Sequence, residues 1–360
     1  MKICIIGDGL TSLTLAKALI NKKVSVDILH SQKNKNYSHS RTLGISQNNI
    51  EYFNKNISDI KKIGWKIKDI KIFTDNLAKS EVIKFSEKNK QLFSILYNYK
   101  LYNQLIKELK KNKLFNYKKD MKYKNIIKKD YKLIINCDPN HEITKKFFFK
   151  KLEKKYNSYA HTTIIKHKKI KSNSIATQIF TKNGPIAFLP ISSTNTSVVC
   201  SLRLNKNSEK ISITSLIEKY NPKYEIKKID NISCVELKFS ILRKYYNKNI
   251  LAFGDLLHRL HPLAGQGFNM TIRDIKELIK IIDSKIKLGL DIDQSICLDF
   301  ENKMKHKNFI FSKGVDWIYE FFNFESKFDN VILSESIRFF GKNNSLNKVL
   351  KKFANFELQA

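Results

Sequence analysis

The chain opens on an unbroken apolar run, Ile3-Cys4-Ile5-Ile6 after Lys2, without the alternation of a half-exposed strand, and so reads as a buried parallel strand. The segment GDGLTS follows, then the helical run LTLAKALINK from Leu13, then a second strand from Val24 to Leu29. This is a βαβ unit. Gly7 and Gly9 stand in its turn, where a missing side chain lets the backbone reverse and approach a pyrophosphate at the positive end of the helix. Ser12 takes the place of the third glycine of the dinucleotide fingerprint and is small enough for helix and strand to pack closely. The acid that normally ends the second strand, about 20 residues beyond the glycines, is replaced by His30, whose neutral ring still bonds a ribose hydroxyl through one nitrogen. Asp27, three residues earlier, is a poor substitute at a strand end because side chains alternate in direction.

A second strand–loop–helix pattern lies far downstream. Residues 249–253 (NILAF) form a short apolar strand, then GDLLHRLHPLAGQG leads into an amphipathic helix expected to begin around Phe268 to Asn269. Asp255 at the strand end can accept hydrogen bonds from a polyol. Gly265, Gln266 and Gly267 offer backbone N–H groups at a helix N-terminus, suited to an electron-rich carbonyl or a developing anion. Between the two patterns, apolar or alternating runs predict strands at Thr162 to Ile165, Ile175 to Phe180, Ile186 to Pro190 and Ser197 to Leu204. Helical spacing governs Ile275, Leu278, Ile279 and Ile282 and returns from Phe309 to Phe322. Ile337, Phe339, Phe340, Val349, Leu350 and Phe353, set among lysines, read as an amphipathic tail.

The 360 residues carry 67 Lys and Arg against 33 Asp and Glu, a formal charge of +34. Only six of the basic residues are Arg, whereas specific nucleic-acid readers rely on the guanidinium fork. No zinc-finger, RNP or basic-zipper spacing occurs, so nucleic acid is not expected as a partner. The lysines favour solubility and attraction to an anionic membrane surface. Five cysteines without a CxxC pair give neither a disulfide framework nor a zinc site and read as buried thiols of a reducing cytoplasm. His258 and His261 lack a third ligand, so no metal is expected. Trp65 and Trp317 read as core or interface residues. The N-terminal apolar run is too short for a signal peptide and no run approaches the ~18 apolar residues of a membrane span, so the expected location is cytoplasmic, with peripheral attachment at the inner membrane left open.

The segment GDLLHRLHPLAGQGFN resembles the signature of class A flavin monooxygenases, the group of para-hydroxybenzoate hydroxylase. More narrowly it is similar to the ubiquinone-biosynthesis hydroxylases, whose pattern GDAAHxxHPxAGQGxNxGxxD is met by Gly254, Asp255, His258, His261, Pro262, Ala264, Gly265, Gln266, Gly267, Asn269 and Asp274. SRTLGISQNNIEYF and IKKIGW resemble the family's arginine segment, with Arg41 where the family has an arginine near the flavin. FTKNGPIAFLP resembles its substrate-domain strand, and LGLDIDQSICLDFENKMKHKN its C-terminal helix pair. The resemblance implies an α/β fold: a Rossmann-like FAD-binding domain of the glutathione-reductase/para-hydroxybenzoate-hydroxylase type over 1–70, 95–150 and 240–290, a β-sheet substrate domain over 71–94 and 151–239, and a C-terminal helical region over 291–360.

It further implies FAD as cofactor, O2 and a polyprenylated aromatic as substrates, NAD(P)H or another reductant as electron donor, and ring hydroxylation through a flavin hydroperoxide. The hard chemistry then belongs to the cofactor. By resemblance Gly7, Gly9, Ser12, His30, Arg41, Asp255, Gly265, Gln266, Gly267, Phe268 and Asn269 hold the FAD, while Pro262 and His261 lie at the reacting side of the ring. The alternatives are a hydroxylase of a soluble aromatic and a flavoprotein subunit of a quinone-biosynthesis complex that has lost turnover. The latter is motivated by LIINCDPNHEITKK, where Asp138 is kept but Pro139, Glu142 and Lys145 replace the family's Gly, Ser and Arg. Pro139 fixes φ and removes an N–H in a segment associated with flavin and nicotinamide. Thr271 stands for a glycine.

Overall fold

The computed structural model describes residues 2–30, 39–75, 81–86, 91–119, 121–129, 131–203, 212–260 and 266–328. The apolar tail positions at 337–353 lie outside these residues.

The opening pattern forms the strand Lys2–Ile6, the helix Leu10–Asn21 and the strand Ser25–His30, the last one residue later than the apolar run suggests. The helix buries Leu13, Leu15, Ala16, Ala18, Leu19 and Ile20. Lys23 then takes a φ of 61° to turn the chain into the second strand. Strand Lys2–Ile6 is central in a six-stranded sheet. Ser25–His30 and then Phe115–Lys119 lie on one side; Leu133–Asn136, Ile250–Ala252 and Tyr246–Asn247 lie on the other. All neighbours are parallel except the last pair. The chain thus leaves the first strand in both directions, which is the switch point where open α/β sheets leave a crevice beyond their strand ends. Leu101, Leu105 and Leu109 of the helix Asn98–Lys110 and Ile272, Ile275, Leu278 and Ile282 of the helix Gln266–Lys287 complete this core.

Asp27, within the second strand, is wholly buried. Burial alone would raise its carboxyl, but Lys118 (2.6 Å), Tyr131 Oη (2.7 Å), Asn116 (2.9 Å) and Lys2 (3.1 Å) outweigh that and hold it below the usual carboxylate range. Its bonds are spent inside the fold and not on a ribose.

A nine-stranded sheet takes its strands from Asp69–Thr74, Glu81–Ser86, Lys151–His167, Ile175–Thr181, Gly184–Pro190, Asn195–Arg203, Ile226–Ile229 and Ser233–Leu242, with His258–Arg259 on its edge. One face is covered by the helix Ile213–Tyr220 through Leu216, Ile217 and Tyr220. The other faces a three-stranded sheet of Thr42–Ser46, Phe93–Tyr97 and Trp65–Ile67. The helix Ser295–Phe328 follows Gln266–Lys287. Trp65 donates its Nε1 to Asn173 O, but Trp317 is 67% exposed and is not core. Cys4, Cys200 and Cys297 are buried as expected; Cys234 is exposed, because its strand lies near the sheet edge.

Candidate active site

Three parallel strands deliver their C-terminal ends to one place: Ile6 continues into Gly7-Asp8-Gly9, Asn136 into Cys137-Asp138-Pro139, and Ala252 into Phe253-Gly254-Asp255. Main-chain bonds from Cys137 N to Ile6 O and from Phe253 N to Asn136 O, both 2.9 Å, keep the ends level. Gly7 has a φ of 98°, and a Cβ there would sit 3.3 Å from that of Asp138. Gly9 is the N-cap of the helix Leu10–Asn21, with no side-chain cap and no acid in the first turn. The first N–H groups of that helix are therefore offered to an external acceptor. Among the described residues, a Cβ on Gly9 would meet nothing within 4 Å, which leaves room where an anion would approach.

The two distant motifs touch directly. Gly254 has a φ of 66°, and a Cβ on it would stand 2.6 Å from Thr11 Cγ2 in the first turn of the same helix. Asp255 follows in a short 3-10 turn and is exposed. Cys137 lies beneath; burial first, then the charges of Asp255 and Asp138, push its thiol up to about 12, so it is no nucleophile near neutral pH. Ser12 is buried against this thiol. Beside it the altered Asp-Pro segment is firmly built. Asn136 Oδ1 accepts from Asp138 N (3.0 Å), Thr144 Oγ1 donates to Asp138 O (2.7 Å), and His141 caps the helix Glu142–Phe147 by accepting from Ile143 N. Glu142 and Lys145 are exposed.

The helix Gln266–Lys287 begins two residues before the expected start. Among the described residues, a Cβ on Gly267 would meet nothing within 4 Å. Asn269, fully buried, uses its side chain as a clasp: Oδ1 accepts from Ser46 N (3.0 Å) and Asn49 Nδ2 (2.9 Å), and Nδ2 donates to Gly44 O (2.8 Å). Only its backbone is left for a ligand. Phe268 packs partly against the main core. His261, Pro262 and Gly265 lie outside the described residues, and Gln266 is described by its backbone alone.

His258, whose sequence context suggests a structural hydrogen-bond partner, finds that partner across the fold. His258 Nε2 lies 2.5 Å from Asp274 Oδ2, both buried, and Asn308 donates to Asp274 Oδ1 while accepting from Arg273. His258 is thus a structural partner. The i, i+16 spacing gave no local signal, because the bond joins a strand edge to a helix.

Arg41 is exposed immediately before the strand Thr42–Ser46. Its neighbours are tied to the nine-stranded sheet: Ser40 Oγ lies 3.1 Å from Ser233 Oγ and 3.5 Å from Thr162 Oγ1, and Thr42 donates to Ser197 Oγ at 2.9 Å. The sheet face touched by Ser40 and Thr42 carries Thr162, Val199 and Ala187, which lie side by side in register and are small. His30, at the end of the strand beside the Gly7 turn, stacks on Tyr117 at 4.1 Å and 5°.

The open helix terminus, the Gly254–Asp255 turn and the start of the second helix together suit a long ligand with an anionic middle, a polyol and an electron-rich ring edge, as FAD has. Residues 132–288 match the FAD binding domain family. Among curated proteins, the mitochondrial ubiquinone biosynthesis monooxygenase COQ6 of Schizosaccharomyces pombe is 23% identical over 62% of this chain and 57% of its own length. The 3-demethoxyubiquinol 3-hydroxylase of Escherichia coli is 27% identical over 41% of this chain and 39% of its own. The chain thus spans about half the length of these curated relatives. Among solved structures, p-nitrophenol 4-monooxygenase from Pseudomonas putida has a TM-score of 0.74 at 13% identity, covering 98% of both chains. HpxO of Klebsiella pneumoniae, complexed with FAD and uric acid, has a TM-score of 0.76 at 11% identity, covering 99% of this chain and 97% of its own. Residues 132–288 thus match the FAD binding domain family, part of the chain is similar in sequence to ubiquinone-biosynthesis monooxygenases, and its fold is that of these flavin-dependent monooxygenase structures.

Proposed function

We propose that this protein is an FAD-dependent monooxygenase that uses O2 to hydroxylate the aromatic ring of a polyprenylated ubiquinone precursor. The observation that carries the proposal is the contact of two distant segments, the glycine turn before helix Leu10–Asn21 and the Gly254–Asp255 turn, at the ends of adjacent strands. The names of the sequence relatives supply the substrate class.

In this reading the uncapped amides at Leu10–Ser12 receive the pyrophosphate, and Gly7 and Gly9 let it come close. Asp255 accepts hydrogen bonds from the ribityl hydroxyls. The backbone N–H groups of Gly267, Phe268 and Asn269 face the electron-rich edge of the ring and stabilise negative charge there, and Arg41 adds a cation from the side of the sheet. The resemblance assigns Gly265 and Gln266 to holding the FAD as well and His261 and Pro262 to the reacting side of the ring; His261, Pro262 and Gly265 lie outside the described residues. Bound and reduced, the flavin supplies the activation of O2 and the transfer of one oxygen atom to an electron-rich ring. The row Thr162, Val199 and Ala187 is a small, largely apolar floor for a phenol, which keeps water from the reacting atoms.

The electron donor is NAD(P)H or another reductant that tolerates Pro139. No helix among the described residues is long and apolar enough to cross a membrane. The net charge of +34 suits a peripheral enzyme at the anionic face of the inner membrane, or a subunit of a quinone-biosynthesis complex there. A soluble aromatic is the competing substrate, since p-nitrophenol 4-monooxygenase shares the fold.

The test is a turnover assay. Protein loaded with FAD, supplied with a chemical reductant and O2, is offered a prenylated phenol in vesicles or a soluble phenol, and products are read by mass spectrometry. One oxygen atom added to the prenylated ring is expected. Oxygenation of the soluble phenol alone, or no product with flavin bound, would overturn the proposal in favour of the soluble-substrate or the inactive-subunit reading.

A further inference from the structure

We propose that the prenyl tail of the substrate leaves the ring site across the edge of the nine-stranded sheet at Val235, passing over Ala160 and beside Leu260. This rests on the substrate reading above and adds to it the path of the tail and a residue that selects for one.

Residues directly opposite each other in antiparallel strands share a face, and every second residue along a strand returns to it. The floor given to the ring is the row Ser233, Thr162, Val199 and Ala187. Ser40 Oγ lies over one end of it, 3.1 Å from Ser233 Oγ and 3.5 Å from Thr162 Oγ1, and Thr42 holds Ser197 one row further on, so the floor is roofed in that direction. In the opposite direction the same face continues as the row Val235, Ala160 and Ser201. Ala160 and Ser201 are buried, whereas Val235 is 40% exposed. The row thus passes from the interior to solvent between neighbouring strands, which lie about 5 Å apart. Strand Ser233–Leu242 gives the reason. Among the described residues its outer side is paired only at Ser240 and Ile241, by His258–Arg259, which leaves the edge at Val235 uncovered.

The walls of this exit are apolar. Leu237 follows Val235 on the same face, and Leu260 packs against the cluster that holds Ala160 and Leu237. An isoprenoid chain has no hydrogen-bonding group, so a path lined by Val, Ala and Leu takes it without stranding a donor or an acceptor. The continuation away from the edge does not serve. Beyond Ala160 and Ser201 the next row pairs Ser158 with Arg203, a hydroxyl and a cation that an apolar chain cannot bond. A ring without a tail needs only the floor, so Val235 acts on tailed substrates and leaves the others untouched.

The probes are phenol and a geranyl-substituted phenol, with Kd from calorimetric titration of the FAD-loaded full chain and KM and kcat from turnover. Wild-type protein should bind the geranyl compound the more tightly. Val235→Asp sets a charge in the path and should raise both Kd and KM for the geranyl compound about tenfold, the size of burying one Val side chain. Its kcat, and the Kd of phenol, should not change. Val235→Leu keeps the wall apolar and should bind both probes as wild type does. Arg203→Leu, at the rejected end of the face, should leave the preference for the geranyl compound where it is. Thermal unfolding checks that each variant folds, which the exposure of Val235 favours. Equal weakening of both probes by Val235→Asp would make Val235 a structural residue, and a change of preference in Arg203→Leu alone would move the exit to that end; either overturns the proposal. Wild-type protein that oxygenates the geranyl compound while Val235→Asp binds it equally well overturns this path alone, whereas wild-type protein that oxygenates phenol only overturns the substrate reading beneath it.

Discussion

Gly254→Ala is expected to weaken FAD binding by about one to two orders of magnitude. A residue with a side chain at the φ of 66° found here costs about 1–2 kcal/mol. The added methyl would also stand 2.6 Å from Thr11 Cγ2, a short branched side chain that cannot swing clear. Something must shift, and both partners belong to the proposed cofactor site: Thr11 opens the helix whose amides face the pyrophosphate, and Gly254 carries Asp255. Fluorescence titration with FAD measures the loss, with thermal unfolding of the flavin-free protein as a control on folding. The double variant Gly254→Ala/Thr11→Ala removes the clash and should recover part of the affinity, leaving the backbone cost. Wild-type affinity in the single variant would mean that this contact does not shape the site.

Gly184→Ala should be the most destabilising single change in the nine-stranded sheet. Gly184 has a φ of 125°, and a Cβ on it would lie 1.9 Å from the carbonyl oxygen of Ser201 on the neighbouring strand. That oxygen belongs to the main chain of a paired strand, so relief requires moving Asn195–Arg203 or the hairpin that Gly184 opens with Thr181. Backbone strain and overpacking together are on the order of 2–6 kcal/mol, comparable with the whole stability of many domains. A steep fall in soluble yield and a midpoint many degrees lower in thermal unfolding are expected. An unchanged midpoint would contradict the strand register around Ser201.

How much of this was legible in the chain follows from the range of each interaction. The strand Lys2–Ile6, its glycine turn and the helix after it are local: an apolar run, small residues and an amphipathic repeat locate them, although the helix starts at Leu10, three residues before the run read from Leu13. The Gly254–Asp255 turn was legible for the same reason. Strand Lys151–His167 was read only at Thr162 to Ile165, because its first residues are polar and exposed and its register shifts beyond Lys155. The contact of Gly254 with Thr11, the His258–Asp274 pair and the four partners of Asp27 were not legible, since each joins segments that only the sheet order brings together. Asn269 matched the family pattern, yet its side chain clasps Gly44, Ser46 and Asn49, a role that no spacing indicates.

The central claim is that the Gly7–Ser12 and Gly254–Asp255 segments close around one FAD. Equilibrium titration of the purified flavin-free chain with FAD, followed by flavin fluorescence and the visible spectrum, tests it most directly. The account predicts saturation at one flavin per chain, with the bound spectrum shifted from that of free FAD and with affinity reduced by Asp255→Ala. Protein that stays colourless after incubation with excess FAD, or binds it no better than the Asp255→Ala and Gly254→Ala variants do, would contradict it.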